Sequence, residues 1–223
     1  MTLDETLLNV PLFADLSEAE IQRISLITRK KKYPKNSVIV FEKDPGDSLY
    51  VVDSGQVKVV LTGEDGREVI LSILGEADFF GEMALIDDMP RSANVIAMED
   101  SRLIVLYRDD FHRVLEEQPR IALGLLRAMS RRLRSADDKI GGLVLLDVPG
   151  RIARLLIELA DEGDGAKISR RITHHTIGQM VGSSRETVSR TIGDLSKRGI
   201  LNVTRKHIEI TDRAALETAA GIK

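Results

Sequence analysis

From Val38 to Leu106 the apolar residues come in short, β-branched runs separated by turn residues. The runs are Val38–Phe41, Leu49–Val52, Val57–Leu61, Val69–Leu74, Ala93–Ile96 and Leu103–Leu106. Between them lie Asp44-Pro45-Gly46-Asp47, Asp53-Ser54-Gly55, Gly63-Glu64-Asp65-Gly66 and Gly75-Glu76. Regular short strands with glycine turns predict a β-sandwich or β-roll of jelly-roll type. Ahead of them Leu16, Ile21, Ile24 and Ile27 have helical spacing, and Ser17 with Glu20 is a capping-box signature. The basic run Arg29-Lys30-Lys31-Lys32 then reads as a solvated face.

Around Phe111 the period becomes helical and stays so to about Leu146. Ala122, Leu126, Met129, Leu133, Ala136, Ile140 and Leu143 recur at alternating spacings of four and three, an a/d seam of about three heptads. The opposite face carries Arg127, Arg131, Arg132, Arg134 and Lys139. Such a helix either lies along its own domain or pairs with a second copy, and the regularity of the seam favours the pair. A further helix starts at Asp147, a natural N-cap, with Pro149 in its first turn and Ile152, Leu155, Leu156 and Leu159 as its stripe. The sequence thus predicts an α+β chain in three parts: a β-roll over 1–108, a long dimerisation helix over 109–146, and a helical module over 147–223.

Within that last module Thr173 caps a short helix, His174–Val181, and Gly182 supplies a turn. The next helix runs from Ser183 to Leu195, with Ile177, Val181, Val188, Ile192 and Leu195 spaced to pack the two together. Ser184, Arg185, Glu186 and Arg190 then project outward. This is a helix-turn-helix pattern, whose second helix enters the DNA major groove. Arginine can donate twice to guanine O6 and N7, and glutamate can accept from a cytosine amino group. Downstream, Gly199–Val203 and His207–Ile210 read as the two strands of a wing, with Arg205 and Lys206 at their turn to meet phosphates. Thr173, Thr187 and Ser189 complete the expected DNA-facing set.

Charge changes this picture only when the chain is divided. The formal net charge is -3, yet residues 147–223 hold 13 Lys and Arg against 10 Asp and Glu, and residues 1–146 hold 19 against 25. A basic module on an acidic body is compatible with nucleic-acid binding. The absence of cysteine excludes disulfides, thiolate zinc sites and cysteine-ligated iron–sulfur clusters. The histidines are His112, His174, His175 and His207, none in a predicted core strand, which speaks against haem and against a cupin-like metal enzyme. No catalytic constellation is found, and no metal is expected. No apolar run approaches bilayer length, and Met1-Thr2-Leu3-Asp4-Glu5 lacks a signal-peptide n-region, so the cytoplasm is the expected compartment.

One segment between strands has the ingredients for a cyclic phosphate. Gly81 lets the backbone approach a ligand, and the turn after it, at Met83 and Ala84, can face N–H groups to an anion. Glu82 can accept from a ribose hydroxyl, Arg91 is a permanent cationic fork, and Ser92 adds a hydroxyl donor.

Nearly the whole chain is similar to the cyclic AMP receptor protein/fumarate-nitrate regulator family of homodimeric transcription factors. The matching runs are Phe80–Leu85 with Arg91-Ser92-Ala93, then Leu146–Ala153, then Ser184–Val188. The resemblance implies a jelly-roll cyclic-nucleotide-binding domain, a dimerisation helix and a C-terminal winged helix-turn-helix. It makes Gly81, Glu82, Arg91 and Ser92 the phosphate cassette, and Arg185, Glu186 and Arg190 the base readers of a palindromic TGTGA-like site. It also implies RNA polymerase as a partner and Leu145-Leu146-Asp147 as a hinge. The sequence departs from the family where the base would lie: Ala136 and Asp137 stand at the positions of a threonine and a serine. Ala136 offers no side-chain hydrogen bond, and ionised Asp137 only accepts, which suits the guanine N1–H and N2–H pair better than adenine. Cyclic AMP is the first expectation, with cyclic GMP, cyclic di-GMP and a ligand-independent regulator open beside it. A cyclic-nucleotide-binding regulator of a protein partner is the remaining alternative.

Overall fold

The computed structural model describes residues 2–168, 172–204 and 207–222. The chain divides into two compact units, residues 1–133 and 134–223, each with its own core.

The first unit opens with helices α1 (Leu3–Leu8) and α2 (Glu18–Ile27), each started by the reciprocal capping bonds that Thr2/Glu5 and Ser17/Glu20 encode. The strands that follow are β1 (Arg29–Tyr33), β2 (Val38–Val40), β3 (Ser48–Ser54), β4 (Val57–Thr62), β5 (Glu68–Leu74) and β6 (Phe79–Phe80). Helix α3 (Met83–Ile86), strands β7 (Asn94–Ala97) and β8 (Ser101–Tyr107), and helix α4 (Arg108–Glu117) complete the roll. Two antiparallel sheets result, ordered β1-β8-β3-β6 and β2-β7-β4-β5.

Period-two alternation explains how β3 and β8 serve two cores. Tyr50, Val52, Leu103 and Val105 pack with Val40, Val57 and Val95 of the facing sheet. Their neighbours Leu49, Val51, Ile104 and Leu106 point the other way, onto Leu7, Ile21, Phe111 and Ile121 of the helices. Each such side chain taken fully out of water contributes about 1.5–3 kcal/mol.

The basic run predicted as a solvated face is exposed from Arg29 to Lys32, and it also forms strand β1, paired antiparallel with β8 from Arg29↔Val105 to Tyr33↔Ser101. It lies at the sheet edge, where lysines discourage pairing with other chains. Lys30 Nζ is 3.1 Å from the buried carboxylate of Asp53, which Arg102 and the Thr6 hydroxyl also bond. Burial pushes the Asp53 carboxyl up, but the bonds from Arg102, Thr6 and Lys30 outweigh it and hold the group below its ordinary value.

The helix predicted over 109–146 is two helices. Helix α4 stops at Glu117, Gln118 leaves the helical region at φ -130 and ψ 75, and α5 (Pro119–Leu145) begins on the proline. A residue before proline is sterically kept from the α conformation, whereas proline itself suits a first helical turn. Ile121, Leu125 and Ala128 are buried in the first unit, while Leu126, Leu133, Ile140 and Leu143 of the predicted seam are 57–64% exposed.

The second unit continues from α5 into α6 (Val148–Asp161), started by Asp147 accepting from the Gly150 N–H. Strand β9 (Lys167–Ile168), helices α7 (His174–Val181) and α8 (Arg185–Lys197), strands β10 (Leu201–Val203) and β11 (Ile208–Ile210), and helix α9 (Arg213–Ala219) follow. The sheet order is β10-β11-β9. Ile152, Leu155, Leu156 and Leu159 meet Ile177, Val181, Val188, Ile192 and Leu195 in one core, as their spacing predicts. Among the described residues no helix is long and apolar enough to cross a membrane.

Candidate ligand cassette and nucleic-acid interface

Strand β6 places Phe80 opposite Tyr50, their rings stacked with centroids 4.9 Å apart, and the chain then turns at Gly81. Gly81 has φ +89, and a Cβ there would stand 2.6 Å from Arg91 Nη1 and 2.9 Å from the Ser48 carbonyl oxygen. Only glycine fits both the conformation and the gap. Arg91 is 6% exposed. Its Nη1 donates to the Gly81 carbonyl and its Nη2 to that of Ser48, each at 2.8 Å, with Asp47 Oδ1 3.7 Å away. Two bonds fix the guanidinium plane and three N–H donors remain. Burial draws its pKa down, Tyr50, Asp47 and Glu82 act in the opposite sense, and Arg108 adds to the lowering. A guanidinium nonetheless keeps its charge.

Glu82 is only 2% exposed. Its Oε1 accepts from Arg132 Nη1 at 2.7 Å, whereas Oε2 is buried with no hydrogen-bond partner among the described residues. An unmet carboxylate oxygen is costly enough that it points to a missing donor. Together the orphaned acceptor and the fixed guanidinium fit a ligand that carries both hydroxyl and anionic groups. Of the other expected cassette residues, Ala84 is buried while Met83 and Ser92 are exposed, and the Ser92 hydroxyl faces Met83 Sδ at 3.9 Å.

Arg132 is the cassette residue that sequence reasoning missed. The heptad pattern assigned it to the solvent face of α5. Besides holding Glu82, it donates to the Phe79 carbonyl and lies 4.7 Å from the centre of the Phe79 ring. Fifty residues separate it from Glu82, so spacing along the chain carried no signal. Ala136 and Asp137 are exposed residues of α5 in the second unit.

In the second unit Thr173 caps α7 by accepting from the Thr176 N–H at 3.1 Å, and Gly182 takes the left-handed conformation that ends the helix. Ser184 is the N-cap of α8, its hydroxyl accepting from the Thr187 N–H at 3.2 Å, so it starts the helix rather than projecting from it. Arg185, Glu186, Ser189 and Arg190 stand exposed on α8, and Thr187 is half-buried. The Glu186 carboxyl is held below its ordinary value by its own backbone N–H and by Ser184, with Arg185 adding to the effect, so it stays a pure acceptor at neutral pH. Strands β10 and β11 pair antiparallel as the predicted wing, and Thr204 accepts from the His207 N–H across the turn. Arg205 and Lys206 lie outside the described residues.

Two family models match the chain. The cyclic nucleotide-binding domain covers residues 30–118, and the Crp-like helix-turn-helix domain covers residues 150–219. The chain is 32% identical over 223 residues to the CRP-like cAMP-activated global transcriptional regulator of Mycobacterium tuberculosis, spanning 98% of this chain and 100% of that one. It is 34% identical over 210 residues to the cyclic AMP receptor protein of Thermus thermophilus, spanning 94% and 96%. Among solved structures, the c-di-GMP-responsive global regulator CLP of Xanthomonas campestris aligns with a TM-score of 0.75 and 26% identity, over 88% of this chain and 100% of that one. These relatives are regulators rather than enzymes. With both domain models in order and such identity over nearly its full length, the chain belongs to the CRP/FNR family of DNA-binding transcription regulators.

Proposed function

We propose that the chain is a homodimeric, sequence-specific regulator whose affinity for DNA is set by a cyclic nucleotide bound at Gly81, Glu82, Met83, Ala84, Arg91 and Ser92. Cyclic AMP is the first ligand to test, with cyclic GMP and cyclic di-GMP as its rivals. The observation that carries this reading is the pairing of a buried Arg91, its plane already fixed, with the orphaned Glu82 Oε2. Arg91 would meet the phosphate, Ser92 would add a donor once released from Met83, and Glu82 Oε2 would take a ribose hydroxyl. Asp137, exposed and acceptor-only, would favour a guanine over an adenine.

Arg185, Glu186 and Arg190 are the base readers of this proposal, with a palindromic TGTGA-like half-site as target. Thr173, Ser184, Thr187, Ser189, Arg205 and Lys206 position the module on the backbone. The exposed leucines and isoleucine of α5 support pairing with a second copy. Function then divides as 1–108 for the ligand, 109–146 for the dimer and 147–223 for DNA, within the cytoplasm and with RNA polymerase as a further partner. A ligand shifts the balance between two states only through its different affinity for each. The test is calorimetric titration with the three nucleotides, followed by DNA affinity with and without each. Equal DNA affinities throughout would defeat the allosteric model.

A further inference from the structure

Helix α4 holds the cassette by its backbone. Arg108 opens α4 and His112 follows four residues later, so both side chains leave the same face. Arg108 Nη2 donates to the carbonyls of Gly46 at 2.6 Å and Ala84 at 2.8 Å, while its Nη1 pairs with the Asp88 carboxylate. His112 Nε2 lies 2.8 Å from the Leu85 carbonyl oxygen. These acceptors belong to the segments that surround Arg91: the loop before β3, helix α3, and the turn that leads to Arg91 itself. Helix α3 is a single turn, so the carbonyls of Ala84 and Leu85 have no helical partner of their own. The side chains of α4 supply it.

The three segments also touch one another. A Cβ on Gly46 would stand 2.3 Å from Ala84 Cβ and 3.3 Å from Arg91 Cζ. The loop, α3 and Arg91 therefore cannot shift independently, and among the described residues Arg108 is the one side chain that bonds to the loop, to α3 and to the turn leading to Arg91. From α4 the chain passes through Gln118 alone into α5.

Resting on the nucleotide reading above, we propose that Arg108, assisted by His112, is a positioning residue of the cassette. It ties the backbone carrying Glu82 and Arg91 to α4, so that any shift of the Ala84 and Leu85 carbonyls on ligand binding is passed to α4 and onward. Arg108 touches no ligand in this scheme; it sets where the ligand's partners stand and how their movement is relayed.

The test compares Arg108→Gln, His112→Gln and Arg113→Gln in the full-length protein. Arg113 pairs with Asp110 on α4 and bonds nothing in the cassette, so it is the control. Three readouts are taken: cyclic AMP affinity by calorimetry, the ratio of DNA affinities with and without saturating cyclic AMP, and hydrogen exchange of the 84–88 amides. For Arg108→Gln the affinity falls about tenfold, the scale of one lost charge-assisted bond, the DNA ratio shrinks, and exchange quickens. His112→Gln keeps a donor for the Leu85 carbonyl and stays near wild type, as does Arg113→Gln. A folded Arg108→Gln protein with wild-type affinity and DNA ratio overturns the proposal. If Arg108→Gln does not fold, Arg108→Lys takes its place: it keeps the charge but cannot span two carbonyls and a carboxylate, and wild-type behaviour there is equally fatal. If the wild type binds no cyclic nucleotide, the ligand reading falls separately, and unchanged exchange at 84–88 would then sink the clamp as well.

Discussion

At Arg91 the guanidinium is almost wholly buried, and two protein carbonyls already occupy two of its five donors. At Arg185, on the first turn of α8, the side chain stands in water. The same residue type is thus committed in one unit and uncommitted in the other, and the proposed targets, a cyclic nucleotide and DNA, explain why. A small ligand brings few contacts, so its site must be preorganised, with the cost of fixing Arg91 met during folding. A DNA duplex brings its own rigid array of donors, acceptors and phosphates, so its reader needs only a firm helix beneath exposed side chains. Ser184 and the buried Val188, Ile192 and Leu195 supply that firmness. On the proposed function, folding and binding are therefore coupled in the cassette and separable on α8.

The largest effect follows from the committed side. Arg91→Ala removes a charge-assisted contact worth about 1.5–3 kcal/mol, which corresponds to roughly ten- to a hundredfold in nucleotide affinity. It also strands the carbonyls of Gly81 and Ser48, so the thermal midpoint of the first unit falls together with binding. Calorimetric titration and a melting curve check both halves. Loss of nucleotide binding with an untouched midpoint would show that the cassette is less preorganised than its bonds indicate. Unaffected titrations would end the cassette assignment itself.

On the uncommitted side Arg185→Ala is expected to behave differently. Removing one bidentate contact to guanine costs about 1–3 kcal/mol of discrimination at that base pair and leaves the melting curve where it was. Competition binding with half-sites altered one position at a time is the measurement. A melting point that drops with Arg185→Ala would break the contrast between the two units, because an exposed side chain has no business supporting the fold.

How far these regions could be read in advance follows the same division. Strands β3, β4 and β8 were legible because Val, Ile and Leu fill positions that are buried on one or both faces, and β5 because the same residue types recur in it although only Ile70 is buried. Strand β1 was not, since four of its five residues are basic and its pairing with β8 depends on partners about seventy residues away. Pro119 marks the break between α4 and α5, but the regular heptad seam beyond it makes the two helices read as one. On α8 local spacing was enough, as the module is built from adjacent helices whose buried and exposed faces alternate at helical period. The cassette was half legible: Gly81, Glu82 and Arg91 lie within eleven residues, whereas Arg132, Arg108 and His112 join them only through the fold. Side chains that act by holding distant backbone leave no local pattern.

The smallest expected effect lies at the wing and sharpens what reading a sequence means on this surface. In sequence Lys206 stands between β10 and β11, and the proposed reading has its cation meet phosphate rather than a base edge. Phosphate contacts release condensed counterions and carry no sequence information, so Lys206→Ala should weaken specific and random duplexes by the same factor. It should also lower the slope of log affinity against log salt by about one, the share of a single neutralised phosphate. Salt titrations on both duplexes separate it from Arg185→Ala, which should alter the ratio between them far more than the slope. If Lys206→Ala instead changed that ratio, the wing would have to be counted among the base readers, and α8 would no longer hold the sequence preference alone.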